Sequence, residues 1–370
     1  MTYFFIIPTL TIGGAESVCV KTCNEMKASG EEVQLLVFTN KVEYSLHPGI
    51  VLNKFIGFSG FFKYLKFCYR NKHNGVFISY MERANFFNLI SHVLTGVRNL
   101  YLTVHTAPRS GFGNRTYTKQ CIIYLLYKIS SILNLKVITV SNGIANELKS
   151  LYKIRNISIL YNFIDTLQYE DVITIRQKNA RLCFPSNNSV SLLFVGRLTP
   201  VKGCDVLLES LKRCVSNKNI TLTIVGDGPM RTVYEQYVCN EGLVEQVNFV
   251  GKVNNVKSFM LNADYLVVPS YAEGFGMVIL EGLLSGCSIV YSECNFGPKE
   301  LMSQYFSFVN SYAFSDPSIS RSKSIEELSV ILSNLSTYSL NVNVYEKIVD
   351  VINTEFSSNA VIKKLKSMVD

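Results

Sequence analysis

Apolar residues along this chain gather in short unbroken runs, separated by longer stretches in which they recur with helical spacing. In the first half the runs are residues 3–7, 34–38, 76–79, 100–104, 137–140 and 157–160, with helix-period stretches near 15–28, 84–94, 119–133 and 142–151. A strand that is apolar on both faces fits a parallel sheet covered on both sides, so the alternation predicts a doubly wound unit. The pattern starts again at Val190, with strands at 191–195, 221–225, 247–250, 265–268 and 288–291. Helices are predicted between and after them at 204–214, 230–240, 256–262, 277–285 and 298–303. A Ser-rich loop at 314–324 precedes three more, at 325–335, 344–352 and 359–368. The polar segment 166–189 separates the two series and reads as a hinge. We therefore expect an α/β protein of two Rossmann-like domains facing across a deep cleft. The first is 1–165, to which 356–370 returns as a packed helix; the second is 166–355. Ligands of such sheets bind outside the C-terminal strand ends.

Composition narrows the class. A hydrophobic fraction of 48% and a charged fraction of 17% over 370 residues describe a globular chain with ample core, not a disordered one. The ten cysteines are scattered without a C-x-x-C pair, and the four histidines lie far apart. That spacing fits neither a disulfide framework nor a zinc site, and reads as free thiols in a reducing compartment. Residues 1–8 are apolar but carry no basic leader and break at Pro8, which fits a first buried strand better than a targeting peptide. The longest apolar stretch, 121–133, is interrupted by Lys128. It is too short for a hydrocarbon core of about 30 Å. A soluble or membrane-peripheral cytoplasmic protein is expected. A net charge of +8 favours anionic partners, either nucleic acid, an anionic membrane surface or phosphorylated substrates. No zinc-finger, RNP-type or basic-zipper pattern supports nucleic acid.

The densest candidate chemistry is the run from Pro269 to Glu281, which contains Ser270, Tyr271, Glu273, Gly274, Phe275, Gly276, Met277 and Val278. A strand ends, a glycine-containing loop follows, and a helix starts near Met277, so loop amides and a helix N-terminus form an anion site. Glu273 on the loop and Glu281 one turn into the helix can accept hydrogen bonds from two hydroxyl-bearing parts of one ligand. The same run also reads as an ordinary strand, turn and helix with two solvated glutamates.

Glu273 to Glu281 resembles the E-x7-E signature of glycosyltransferase family 4, the retaining GT-B enzymes. Three further segments match in the family's order: Phe194 to Gly203, containing Gly196, Arg197 and Lys202; Ile224 to Pro229, containing Gly226; and Gly297 to Leu301. The resemblance implies that Arg197 and Lys202 neutralise a leaving diphosphate, a planar fork beside a flexible point charge. It implies donor-sugar contacts for Glu273 and a ribose contact for Glu281. It also implies a cleft-lining role for Gly13 and Gly14, which follow the first strand, and a sugar contact for His105, which follows the strand at 100–104. The family is described by front-face substitution with retention, the diphosphate taking the acceptor's proton. No D-x-D triplet occurs, so charge stabilisation by side chains and helix dipoles is expected in place of a metal. No cofactor is expected beside the nucleotide-sugar substrate.

Two basic patches are candidates for the acceptor. In 58–72, Phe61, Phe62, Leu65, Cys68 and Tyr69 fall on one helical face and Lys63, Lys66 and Arg70 on another. Such a helix either lies on an anionic leaflet or packs on the core with solvated lysines. Arg109, Arg115 and Lys119 add charge in the loop that follows His105. These cations are candidates to hold a polyprenyl-diphosphate-linked glycan. The GPKE form of the segment at 297–300 and the basic N-terminal half resemble bacterial O-antigen and capsular polysaccharide transferases. A sugar-nucleotide epimerase or phosphorylase, or a non-catalytic glycan-binding subunit of the same architecture, remains open at this point.

Overall fold

The computed structural model describes all residues except 12, 109–116, 177–188, 215–219 and 370. Contact density divides the chain into one unit of Met1–Phe163 with Phe356–Asp370 and a second of Ile164–Glu355.

The first unit holds seven parallel strands in the order β3-β2-β1-β4-β5-β6-β7. They are β1 Thr2–Ile7, β2 Glu32–Val37, β3 Val51–Lys54, β4 Gly75–Tyr80, β5 Leu100–Val104, β6 Lys136–Thr139 and β7 Ile157–Ile159. The helices are α1 Gly14–Ala28, α2 Gly57–Asn71, α3 Glu82–Thr95, α4 Tyr117–Ile132 and α5 Asn142–Tyr152, with Ser358–Val369 returning as the last helix of the chain. Order along the sheet reverses after β3, and right-handed crossovers then place α1 on one face and α2 to α5 on the other. Contacts agree: α1 packs on Ser358–Val369, while α2, α3, α4 and α5 pack on one another in sequence. β1 shows why its run is apolar throughout. Tyr3, Phe5 and Ile7 join a core with Cys19, Met26 and Leu365, whereas Phe4 points the other way and meets Phe67 of α2 edge-on at 5.2 Å.

The second unit repeats the topology with six parallel strands, β10-β9-β8-β11-β12-β13. These are β8 Val190–Val195, β9 Ile220–Val225, β10 Val247–Gly251, β11 Tyr265–Val268, β12 Ser288–Ser292 and β13 Ser311–Phe314. Its helices are α6 Cys204–Cys214, α7 Arg231–Asn240, α8 Lys257–Met260, α9 Met277–Leu284, α10 Pro298–Gln304, α11 Arg321–Asn334 and α12 Val342–Val351; Ser358–Val369 is α13. Leu192 and Phe194 of β8 pack with Leu207, Leu211 and Leu328 in the core between sheet, α6 and α11.

Several sequence expectations need correction. β3 and β13 were not expected. Both are edge strands with largely exposed or half-exposed side chains, and so lack an apolar run. α11 begins at Arg321, four residues before the expected start, because its first turn is polar and carries no hydrophobic signal. In α2 the buried line is Gly60, Tyr64 and Cys68, while Phe62 and Tyr69 of the expected apolar face are exposed. Gly60 explains the shift: a Cβ there would stand 2.5 Å from the Phe55 carbonyl carbon, so the side without a side chain faces inward. The expected hinge lies partly in 177–188, outside the described residues.

Arg176 fastens the chain that leads into the second sheet. Its guanidinium donates to the carbonyls of Ser285 at 2.7 Å, Met260 at 2.9 Å and Ala263 at 2.8 Å, at or just past the C-terminal ends of α9 and α8. Carbonyls at a helix C-terminus lack intrahelical partners, and a cation there also answers the helix dipole. Arg176→Ala is expected to lower the stability of the second unit by about 2–4 kcal/mol, read from its urea midpoint.

Candidate functional site

In the second unit the matched segments come together at the C-terminal ends of the strands. β8 ends and turns through Gly196, Arg197 and a 3-10 turn, Pro200–Lys202, into α6. β11 ends and turns through Ser270 and Glu273 into α9. The two loops touch backbone to backbone. Gly203 has φ +69°, and a Cβ on it would lie 1.9 Å from the Pro269 carbonyl oxygen, so glycine is required both for its backbone angle and for space. Gly226, at φ +141°, presses on the Gly196 carbonyl in the same way. These motif glycines bind loop to loop, and that sets the position of the charged side chains they carry.

The contact so fixed is an ion pair. Lys202 Nζ donates to Glu273 Oε1 at 2.6 Å, and Ser270 Oγ donates to the same oxygen at 2.8 Å. The carboxylate side chain is 10% exposed and the lysine 29%, so the pair is largely withdrawn from water. Ser270 is itself held, its carbonyl accepting from Ser292 Oγ at the end of β12 at 2.6 Å. Sequence reasoning missed the role of Ser270, although it stands three residues before Glu273. Arg197 is exposed on the neighbouring turn. Gly274 continues the loop, Phe275 is buried, and Gly276 enters α9 at φ +92° with no side chain capping the helix. The first amides of that helix, at Met277 and Val278, therefore begin it without a side-chain acceptor. Glu281 follows one turn on, and its charge, second to burial, pushes the hydroxyl pKa of Tyr169 up. That tyrosine lies 112 residues away in sequence, with no local signal to mark it.

In the first unit His105 follows β5 and is half-buried. Its ring stacks on Tyr80 at 5.1 Å, and Nε2 lies 3.1 Å from Thr103 Oγ1. Thr103 has one hydroxyl proton and donates it to the Ser79 carbonyl at 2.8 Å. Nε2 must then be the donor to Thr103, which leaves Nδ1 as an acceptor. Asn85 ties the same strands together, accepting from Ser79 Oγ and donating to the Thr103 carbonyl, both at 2.8 Å. Desolvation pulls the imidazole pKa down from 6.5 to about 4, so the ring is neutral near neutrality. A cavity of about 20 Å³, room for one water, lies beside it and is lined also by Tyr80, Thr103 and Asn162.

Gly13 and Gly14 open α1, but the Gly13 amide is already engaged. It donates to Tyr44 Oη at 3.0 Å, and that hydroxyl donates back to the Gly13 carbonyl at 3.0 Å. Glu16, buried in the first turn, fills the space where a Gly13 Cβ would stand. A ligand approaching this amide meets Tyr44 first, a partner 31 residues on that the sequence did not reveal. Lys63, Lys66 and Arg70 are exposed on α2. Arg109 and Arg115 lie outside the described residues.

Two doubly wound units of this topology form a GT-B fold. The structure of Anabaena HepE crystallised in complex with UDP superposes over 100% of this chain and 99% of that one, with a TM-score of 0.75 at 16% identity. Residues 176–329 match the family described as Glycosyl transferases group 1, and the chain resembles that group through its second unit. An uncharacterized glycosyltransferase of Methanocaldococcus jannaschii is 31% identical over 176 residues, 46% of this chain and 45% of that protein. The chain thus spans less than half the length of this and other curated relatives. The N-acetylgalactosamine-N,N'-diacetylbacillosaminyl-diphospho-undecaprenol 4-alpha-N-acetylgalactosaminyltransferase of Campylobacter jejuni is 24% identical over 313 residues, covering 80% of this chain and 81% of that one.

The low imidazole pKa has a consequence for stability. Between pH 4 and 6.5 the unfolded chain binds a proton at His105 that the folded chain does not. Stability from this group is therefore complete above pH 6.5 and is lost as the pH falls towards 4. His105→Gln is expected to flatten that part of the profile, measured by thermal melts across the window.

Proposed function

We propose that this protein is a retaining glycosyltransferase. It moves a hexosyl or N-acetylhexosaminyl unit from a nucleotide sugar, with UDP preferred over GDP as the carrier. The acceptor is a lipid-linked oligosaccharide, polyprenyl-diphosphate-borne, in the assembly of a bacterial surface polysaccharide of the O-antigen or capsule kind. The observation that carries the reading is the Lys202–Glu273 pair on the C-terminal rim of the second sheet, beside Arg197 and the uncapped start of α9. The Campylobacter relative, named for an undecaprenol-linked acceptor, supports the acceptor class, and the Anabaena neighbour, solved with UDP, supports the donor.

In this reading the donor diphosphate takes Lys202 from Glu273. The released carboxylate then accepts from the sugar's hydroxyls, so nucleotide binding and sugar recognition are linked through one side chain. Arg197 and the first amides of α9 share the diphosphate charge, Glu281 accepts from the ribose, and His105 Nδ1 accepts from a sugar hydroxyl. The acceptor hydroxyl attacks the anomeric carbon on the face the diphosphate leaves, and a diphosphate oxygen takes its proton. Positive side chains and the helix dipole stabilise the departing charge without a metal. Lys63, Lys66 and Arg70 serve the acceptor's diphosphate, together with Arg109 and Arg115. The enzyme works at the cytoplasmic face of the cell membrane.

UDP or a UDP-sugar is expected to raise the melting temperature, and to do so equally in excess EDTA. Glu281→Ala should weaken that binding about tenfold or more, the loss of one charged hydrogen bond. Glu273→Gln makes the sharper forecast: it frees Lys202, so UDP alone should bind a few-fold tighter while transfer slows about a hundredfold. If no UDP- or GDP-sugar shifted the melt, the reading would be lost.

A further inference from the structure

A second side-chain contact joins the turn after β8 to the loop after β11. Besides the Lys202–Glu273 pair, Tyr271 Oη donates to Asp205 Oδ2 at 2.9 Å. Lys202 and Asp205 stand three residues apart on one segment, and Tyr271 and Glu273 two apart on the other. The two contacts are therefore successive rungs between the same pair of segments. Between them the Tyr271 amide donates to the Val201 carbonyl at 2.9 Å.

The second rung is anchored from behind. Arg321, the first residue of α11, donates through Nε to the same Asp205 oxygen at 3.1 Å. Its Nη1 donates to Glu209 Oε2 at 3.1 Å, and its Nη2 to Glu209 Oε1. Asp205 and Glu209 lie one turn apart on α6, so a single guanidinium spans both, which the point charge of a lysine does not match. A lone surface ion pair would fix little, but a forked arginine on two carboxylates holds a defined geometry. Asp205 Oδ1 is buried and takes no hydrogen bond among the described residues, so the partners named for this carboxylate are both on Oδ2. A buried acceptor left unpaired is unfavourable, and it is kept here by the demands of Tyr271 and Arg321 on the other oxygen. Burial, and then the Asp205 charge, push the Tyr271 hydroxyl pKa up to about 12, so it remains a donor across the neutral range. The polar first turn of α11, silent in the hydrophobic pattern, thus has a use: it sets Arg321 against α6.

We propose that Arg321, Asp205 and Tyr271 form a brace that positions Glu273 for the donor sugar once the diphosphate has drawn Lys202 away. The inference rests on the donor reading of Lys202 and Glu273 given above. In that reading, binding dissolves the first rung at the moment when Glu273 has to be held steady. The brace uses neither of those side chains and carries the loop through that step. Ser270 fixes the rotation of the carboxylate, and the brace fixes the loop that bears both. Arg321 and Tyr271 are positioning residues: they act on the sugar only through Asp205 and the backbone of residues 271–273.

Two measurements on the full chain test the brace. In amide hydrogen exchange without nucleotide, Glu273→Gln and Tyr271→Phe should each leave residues 270–276 within about twofold of wild type, because one rung remains. Combined, they should speed exchange there about tenfold, more than the two single effects together. In titration calorimetry, Tyr271→Phe and Arg321→Ala should bind UDP within about twofold of wild type, yet lose about tenfold in affinity for a UDP-sugar, the worth of one charged hydrogen bond. The probe is whichever of UDP-glucose, UDP-galactose and UDP-N-acetylglucosamine the wild type binds tightest. Arg321→Lys, which keeps one carboxylate pairing, should recover part of that loss. Merely additive exchange in the double variant, or UDP and UDP-sugar affinities that fall together, overturns the proposal. A wild type that bound no UDP-sugar would defeat the donor reading instead, and the exchange measurement, which needs no nucleotide, would still decide whether the brace exists.

Discussion

Every strand pairing within the two sheets is parallel, and a parallel sheet tolerates water on neither face. That constraint orders the rest. Each strand must return through a crossover helix, so the loops that leave the C-terminal strand ends collect on one rim of each sheet. Crowding there brings the β8 loop within van der Waals contact of the β11 loop, where glycine at 203 permits it, and of the β9 loop, where glycine at 226 does. The charged side chains are then held by backbone packing, not by their own flexibility.

What the rim holds in the second unit is an ion pair that is half-satisfied by design of its surroundings. Glu273 has a lysine and a serine on one oxygen, and Ser270 is braced from β12 in turn. A pair so far from water resists simple disruption but yields to a partner bringing equal charge. In the first unit the corresponding rim is managed differently. There a neutral imidazole is oriented through Thr103 by a buried Ser79–Asn85 network, so its hydrogen-bonding sense is set by the fold.

The central strands were legible because burial on both faces writes them as unbroken apolar runs, as in Tyr3 to Ile7. Edge strands such as β13 were not, because one side needs no cover. The orientation of α2 escaped helical-wheel arithmetic, since the residue that faces inward at closest range is Gly60, which no hydrophobicity count rewards. At the site, the spacing and order of Arg197, Lys202, Glu273 and Glu281 were readable, and the resemblance gave them roles. Their partners were not. Tyr44 against Gly13 and Tyr169 near Glu281 meet only through the fold, and nothing adjacent in the chain announces them.

The return of α13 to the first unit makes the second unit an insertion within the first. Val361, Ile362, Leu365 and Val369 fill the same core as Tyr3, Phe5 and Ile7, so that core lacks one wall until residues 358–369 have left the ribosome. The order of maturation is thereby inverted during synthesis: the unit begun first is closed last, and the inserted unit can finish folding while its host still waits.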